Sequence, residues 1–282
     1  MSTSKRTVLI TGCSDGGMGA ALAIAFHKAG LHVIATTRNP EKMAGLASLG
    51  IETRMLDVLS ESSIADCVKK LSSIDILVNN AGSQFLMPVV DANITEAKKL
   101  FDINVWSHIA VIQAFIPLLL QSPQGMIVNQ TSVGASATLP FQAVYNSSKA
   151  ALAMFSDSLR LELQPFGIKV VDLRTGVVKT NLIKNLQEEK SPQLPKGSIC
   201  QPAKDVVEGI LRQEGFESRG MPAQQWAELV VQDLLKKSPP PVIWRGESAL
   251  LTRISTVLPF GLFDGFNKKL TGLDMVEKLV RK

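Results

Sequence analysis

The sequence predicts an α/β fold: a doubly wound parallel sheet flanked by helices, in a single domain with a C-terminal helical extension. Two observations predict it. Short runs rich in Val, Ile and Thr alternate with helix-length amphipathic stretches over residues 5–245. Strands separated by helices pair in parallel, because a crossover of that length returns the chain to the edge it started from. The first strand leads into Gly12, Gly16, Gly17 and Gly19, and a helical pattern follows at once. That order is the Rossmann-type arrangement, in which amides at a helix N-terminus meet a phosphate.

Residues 7–11 form the first strand and residues 20–29 the first helix. Between them, glycines let the backbone approach a pyrophosphate closely. The alternative is an ordinary turn, which does not need four glycines at the mouth of a helix. After Thr11 the spacing is Gly12, four residues, then Gly17-x-Gly19, which is not G-x-G-x-x-G. Residues 31–36 form the second strand. An NAD enzyme usually places Asp or Glu at its end, on the ribose 2′-hydroxyl. This chain has Thr36, Thr37 and Arg38 there. A 2′-phosphate is therefore favoured, and with it NADP(H). The third strand, 51–56, ends at Asp57 and Val58. Asp57 is placed either to accept from an adenine amino group or to cap the helix starting near Ser60. The fourth strand, 74–78, is followed by Asn79, Asn80, Ala81 and Gly82, small residues suited to close approach of a cofactor.

Two helices follow, from about 95 to 108 and on to about 120. The first holds Asn104. An asparagine inside an apolar helix is costly unless hydrogen-bonded, so by itself it reads as a structural residue at a kink. Residues 126–131 form the fifth strand, with Ser132 just beyond it. The helix at 144–164 carries Tyr145, the only tyrosine in the chain, and Lys149. Residues four apart share a helix face. An ammonium beside a phenol favours phenolate, lowering the tyrosine pKa from its reference of about 10. Such a tyrosine donates and accepts protons near neutral pH. Ser132 is placed to hydrogen-bond the same reacting oxygen. Alone, the pair fits a solvated helix face equally well; its company elsewhere in the chain raises it.

Residues 168–173 form the sixth strand. The polar, proline-marked stretch 182–202 reads as a lid over a substrate. Helices at 203–213 and 223–237 and a last strand at 241–246 complete the domain. The extension, 246–282, is apolar and basic. Three places suit it: a membrane surface, an oligomer contact, or its own domain near the substrate mouth.

Composition sets the bounds. The chain has 282 residues, 45% hydrophobic and 20% charged, which is globular and not disordered. Its net charge is +5, but the basic residues form no run, so nucleic acid is not expected as a partner. Cys13, Cys67 and Cys200 have neither metal nor disulfide spacing, and an odd, sparse count suits a reducing compartment. No metal is expected. No apolar signal segment precedes the first strand, and no run reaches the roughly 18 apolar residues of a membrane span.

Together these motifs resemble the short-chain dehydrogenase/reductase family over about residues 5–245, in family order. Thr11 and Gly12 through Gly19 resemble the cofactor loop, and Asn79 to Gly82 the central-strand motif. Ser132, Tyr145 and Lys149 resemble the catalytic serine and Tyr-x-x-x-Lys. Two departures, the extra loop residue and Thr175-Gly176 in place of Pro-Gly, recur in a branch of fungal NADPH-dependent 1-acyldihydroxyacetone phosphate reductases and secondary-metabolite reductases. The resemblance implies that Ser132, Tyr145, Lys149 and Asn104 are catalytic, with Asn104 holding a water that relays protons to Lys149. It implies cofactor contacts at Ile10, Gly12, Ser14, Gly17, Gly19, Arg38, Asp57, Val58, Asn80, Gly82, Tyr145, Lys149, Val178 and Thr180. It also implies a homo-oligomer, paired through the helices near 95–120 and 144–164.

The function expected is NADPH-dependent reduction of a ketone, reversible as an alcohol dehydrogenase. The substrate is a small carbonyl or alcohol compound: an acyl-dihydroxyacetone-phosphate-like lipid ketone, or a polyketide-like ketone of secondary metabolism. The rival of another class is a scaffold or non-redox catalyst that keeps NADP(H). The intact Ser132, Tyr145, Lys149 and Asn104 count against it. The expected location is the cytoplasm, or peripherally an endoplasmic-reticulum or lipid-droplet surface if the tail meets a membrane.

Overall fold

The computed structural model describes residues 5–181, 192–215 and 219–281. Seven parallel strands form the main sheet. In chain order they are β1 (Thr7–Thr11), β2 (His32–Thr37), β3 (Glu52–Met55), β4 (Ile76–Asn79), β5 (Met126–Gln130), β6 (Lys169–Thr175) and the last, Val242–Arg245. The spatial order is β3-β2-β1-β4-β5-β6 and then the last strand. The order reverses between β1 and β4, which opens a crevice beyond their carboxyl ends, where such sheets bind ligands.

The sheet is apolar on both faces, so both are covered. On one face, Ala20–Phe26 of α1 (Met18–Lys28) pack with Trp226, Val230 and Leu234 of the helix Ala223–Leu234. On the other, Val111, Ile112, Phe115 and Leu118 pack against Leu9, Leu77 and Ile127. Ser60 caps the helix Glu61–Lys69 by accepting from the Ser63 amide at 3.2 Å. Asp57 therefore does not cap it.

The helices expected at 95–108 and up to 120 are one continuous rod. Ile94–Phe101 and Ser107–Leu119 are joined by a π-helical turn, Asp102–Trp106, with Asn104 at its centre. The rod spans 26 residues and is apolar enough to cross a membrane by length and composition. Half of its most apolar window is buried inside the protein, so its hydropathy follows from packing on the sheet.

One feature was not anticipated. Val178–Lys179 pairs in parallel with Met221–Pro222 as a small second sheet. The tail folds as three short helices, Ala249–Ser255, Asp264–Leu270 and Leu273–Val280. It packs on its own domain. Val276 enters a cluster with Leu86, Phe141, Val207 and Leu211, and Asn267 Nδ2 donates to the Thr138 carbonyl at 3.0 Å. The first part of the expected lid, residues 182–191, lies outside the described residues. Of its remainder, Leu194 is buried in the same cluster.

Candidate active site

The crevice beyond β1, β4 and β5 opens into a cavity of about 1140 Å³. Gly12, Ser14, Gly17, Arg38, Asp57, Val58, Asn80, Gly82, Ser132, Tyr145, Lys149, Val178 and Thr180 all line it. Ile10, Gly19 and Asn104 do not. Ile10 is fully buried in the sheet, behind the loop. Gly19 packs α1 onto the loop: a Cβ there would sit 2.5 Å from the Gly12 carbonyl oxygen. Asn104 is fully buried. Its Oδ1 accepts from the Ser83 amide at 2.8 Å, and its Nδ2 donates to the Ser83 carbonyl at 2.9 Å and to Ser148 Oγ at 3.0 Å. It holds the segment after β4 in place, the structural duty read from its helix context.

The dinucleotide end of the cavity begins at Gly12, whose φ is +74 and whose added Cβ would lie 2.8 Å from Ala81 Cα. Only glycine fits there. Asn80 pins the loop by donating from Nδ2 to the carbonyls of Thr11 and Gly12, at 2.9 and 3.0 Å. Gly17 caps α1 with no side-chain hydrogen bond, and no acid stands in the helix's first turn. Those amides are left for an anion. Arg38, Asn39 and Lys42 line the wall beyond β2. These features fit a pyrophosphate and a 2′-phosphate. Lys42 was not picked out from the sequence, although a second cation four residues past Arg38 in the same loop was a readable signal. Asp57 Oδ1 accepts from the Leu59 amide at 3.0 Å.

The chemical centre is built by β5 and the helix Ala143–Glu162, which begins two residues before Tyr145. Ser132 leaves β5 in extended conformation, accepts the Gly134 amide at 3.0 Å and hydrogen-bonds Tyr145. Lys149 is buried, and its Nζ donates to the Gln130 carbonyl at 2.9 Å, 6.0 Å from the Tyr145 ring centroid.

Burial pushes the Tyr145 phenol up, and the Ser132 hydrogen bond pulls it part of the way back. The expected lowering by Lys149 is corrected here: with the ammonium turned to Gln130, desolvation wins. Lys149 instead moves down to about 8, because burial disfavours its charge more than Asp172 supports it. Asp172 was missed in the sequence, although an aspartate inside an apolar strand was the available signal. It is buried, accepts from Thr131 Oγ1, and pairs with Arg174 Nε at 2.7 Å. His108 was also missed. It is buried behind Ala81, with Nε2 2.8 Å from the Ala81 carbonyl, and burial lowers its pKa to about 3. It is therefore neutral and donates there.

Fold and site together define an oxidoreductase acting on CH–OH and C=O groups, with a dinucleotide crevice on one side and a Ser–Tyr–Lys centre on the other. The family model for short chain dehydrogenases matches residues 6–191, and the chain belongs to the short-chain dehydrogenase/reductase family. A short-chain dehydrogenase/reductase of Pestalotiopsis microspora is 54% identical over 281 residues, covering 100% of this chain and 99% of that one. The NADPH-dependent 1-acyldihydroxyacetone phosphate reductase of Schizosaccharomyces pombe is 35% identical, covering 92% of each chain. Among solved structures, a short-chain dehydrogenase from Streptomyces avermitilis superposes with a TM-score of 0.77 at 27% identity, over 98% of both chains.

Proposed function

We infer that this protein is an NADP(H)-dependent carbonyl reductase, running in reverse as an alcohol dehydrogenase. One observation carries the reading: Ser132, Tyr145 and the buried Lys149 share a cavity with Arg38 and Lys42, and no acid closes β2. The dinucleotide would lie along Gly12, Ser14 and Gly17, with adenine near Asp57 and Val58. Its 2′-phosphate would meet Arg38 and Lys42, and its nicotinamide Val178 and Thr180. Bound there, NADPH supplies a hydride to the substrate carbon.

The chain's own residues handle the oxygen. Ser132 donates to the carbonyl oxygen and keeps Tyr145 oriented. Tyr145 passes its phenolic proton to the alkoxide as charge develops. Lys149 swings from the Gln130 carbonyl toward the nicotinamide ribose, and its charge then favours the phenolate left behind. Asn104 steadies the wall through Ser83, and a water beside it would return the proton.

Cofactor choice is tested by titrating NADPH and NADH against the wild type and Arg38→Glu. The variant should weaken NADPH by about 10–100-fold, the loss of one charge-assisted contact, and leave NADH unchanged or improved. Equal affinities in the wild type would contradict NADP(H).

Two substrate classes are supported by relatives: an acyl-dihydroxyacetone phosphate, and a neutral ketone of secondary metabolism. The apolar helix faces that carry Ile94, Trp106, Met154 and Leu161 at the surface support pairing of two copies. Leu258, Phe260 and Leu262 form an exposed lip at the cavity mouth, which supports peripheral membrane contact. Three free cysteines suit the cytoplasm.

A further inference from the structure

The cavity has two unlike ends. The dinucleotide end holds Arg38 and Lys42, beside Asp15 and Asp57. The outer end is walled by the loop after β5 and by the tail, through Leu139, Leu251, Leu258, Phe263, Phe266 and Leu270. Its polar side chains are neutral: Gln84, Thr138, Gln142, Gln213 and Asn267. Gln213 Nε2 donates to Gln84 Oε1 at 3.1 Å, joining the segment after β4 to the end of the helix Lys204–Leu211. The remaining cation of the lining, Lys149, is bound to the Gln130 carbonyl beneath Tyr145. Among the described residues, the one charged side chain lining the outer end is Asp264, an exposed carboxylate in the first turn of the tail helix Asp264–Leu270.

We propose that the outer chamber, closed by the tail and carrying Asp264 as its charged group, selects a bulky, uncharged, largely apolar ketone and discriminates against phosphate esters. This rests on the reductase reading and names the substrate class of the same site. The warrant is desolvation. An anion entering an apolar enclosure loses its hydration and must find a cation or several donors in return. Among the described residues it would meet apolar walls, neutral amides and hydroxyls that do not balance its charge, and a like charge. A neutral ketone gains from the same walls by burial, and its further oxygens find amides and hydroxyls. The tail supplies five of the six apolar wall residues and the acid, so selectivity resides in a segment outside the sheet.

A minimal pair of substrates tests this: 1-decanoyl-dihydroxyacetone and its 3-phosphate, which differ only in the phosphate. Both are assayed for NADPH oxidation with the wild type and with Asp264→Lys. Binding of each to NADPH-loaded Tyr145→Phe protein is measured by equilibrium dialysis. The expected kcat/KM is at least tenfold higher for the neutral ketone, and Asp264→Lys narrows that gap through a lower KM for the phosphate ester. A phosphate ester handled as well as or better than the neutral ketone overturns the proposal, as does a gap unmoved by Asp264→Lys. Should neither compound be reduced, dialysis decides. Retention of the neutral ketone alone upholds the chamber's selectivity while the reductase reading fails. Retention of the phosphate ester, or of neither, overturns the proposal.

Discussion

Lys149 is the residue whose charge state is most open to control. Burial brings it to about 8, and the opposing influence is the Asp172 carboxylate in the neighbouring strand. The proposed reduction needs a protonated lysine and a protonated phenol. Burial raises the phenol, so the lysine is the first of the two to lose its proton. The kcat/KM for reduction should then fall as pH rises through about 8. Asp172→Asn removes the charge that favours the ammonium. Its basic limb should move to lower pH, while Lys149→Arg, which cannot deprotonate in this range, should lack that limb. A limb unmoved in Asp172→Asn would show that Asp172 only braces Thr131 and Arg174. The pairing of Tyr145 and Lys149 was legible because its spacing is local: the two share one helix face. Asp172 and His108 reach the site through strand pairing and helix packing, which no local spacing reports.

At the scale of elements, the strand–helix alternation was legible, because buried strands and amphipathic helices have different periods. The π-turn Asp102–Trp106 was not. Hydrophobic pattern says that a helix continues, and says little about one extra residue in a turn. At its centre Asn104 aims its amide at both the NH and the carbonyl of Ser83. Asn104→Ala leaves those groups unpartnered. It should lower the unfolding free energy by about 1–3 kcal/mol, measured by urea titration, and reduce kcat more than it raises the KM for NADPH. Unchanged stability would show that Ser83 finds water instead. The small sheet of Val178–Lys179 and Met221–Pro222 escaped notice for a different reason: two-residue strands carry no period.

At the scale of the molecule, the tail was legible as apolar and basic, but composition could not choose among membrane, partner and self. The structure shows self-packing, through Val276 and Asn267, and it makes the tail one wall of the cavity. Ending the chain at Ser255 should therefore separate the two halves of the site. NADPH affinity, read by fluorescence quenching, should hold, because Gly12 to Arg38 make no use of the removed wall. The KM for an apolar ketone should rise steeply, and the melting temperature should drop as Val207 and Leu211 lose their cover. A truncated protein with an unchanged KM would place the substrate elsewhere.

The most direct test of the central claim is to follow the hydride itself. The wild type and Tyr145→Phe are given NADPH carrying deuterium at the transferring position of nicotinamide C4, with 1-decanoyl-dihydroxyacetone as the ketone, and the product is read by mass spectrometry. The wild type should place one deuterium on the new carbinol carbon, and Tyr145→Phe should do so at least ~100-fold more slowly, the usual weight of a lost general acid. Bound NADPH with no label in the product, or a Tyr145→Phe variant that labels it at the wild-type rate, would contradict a reductase built on Ser132, Tyr145 and Lys149.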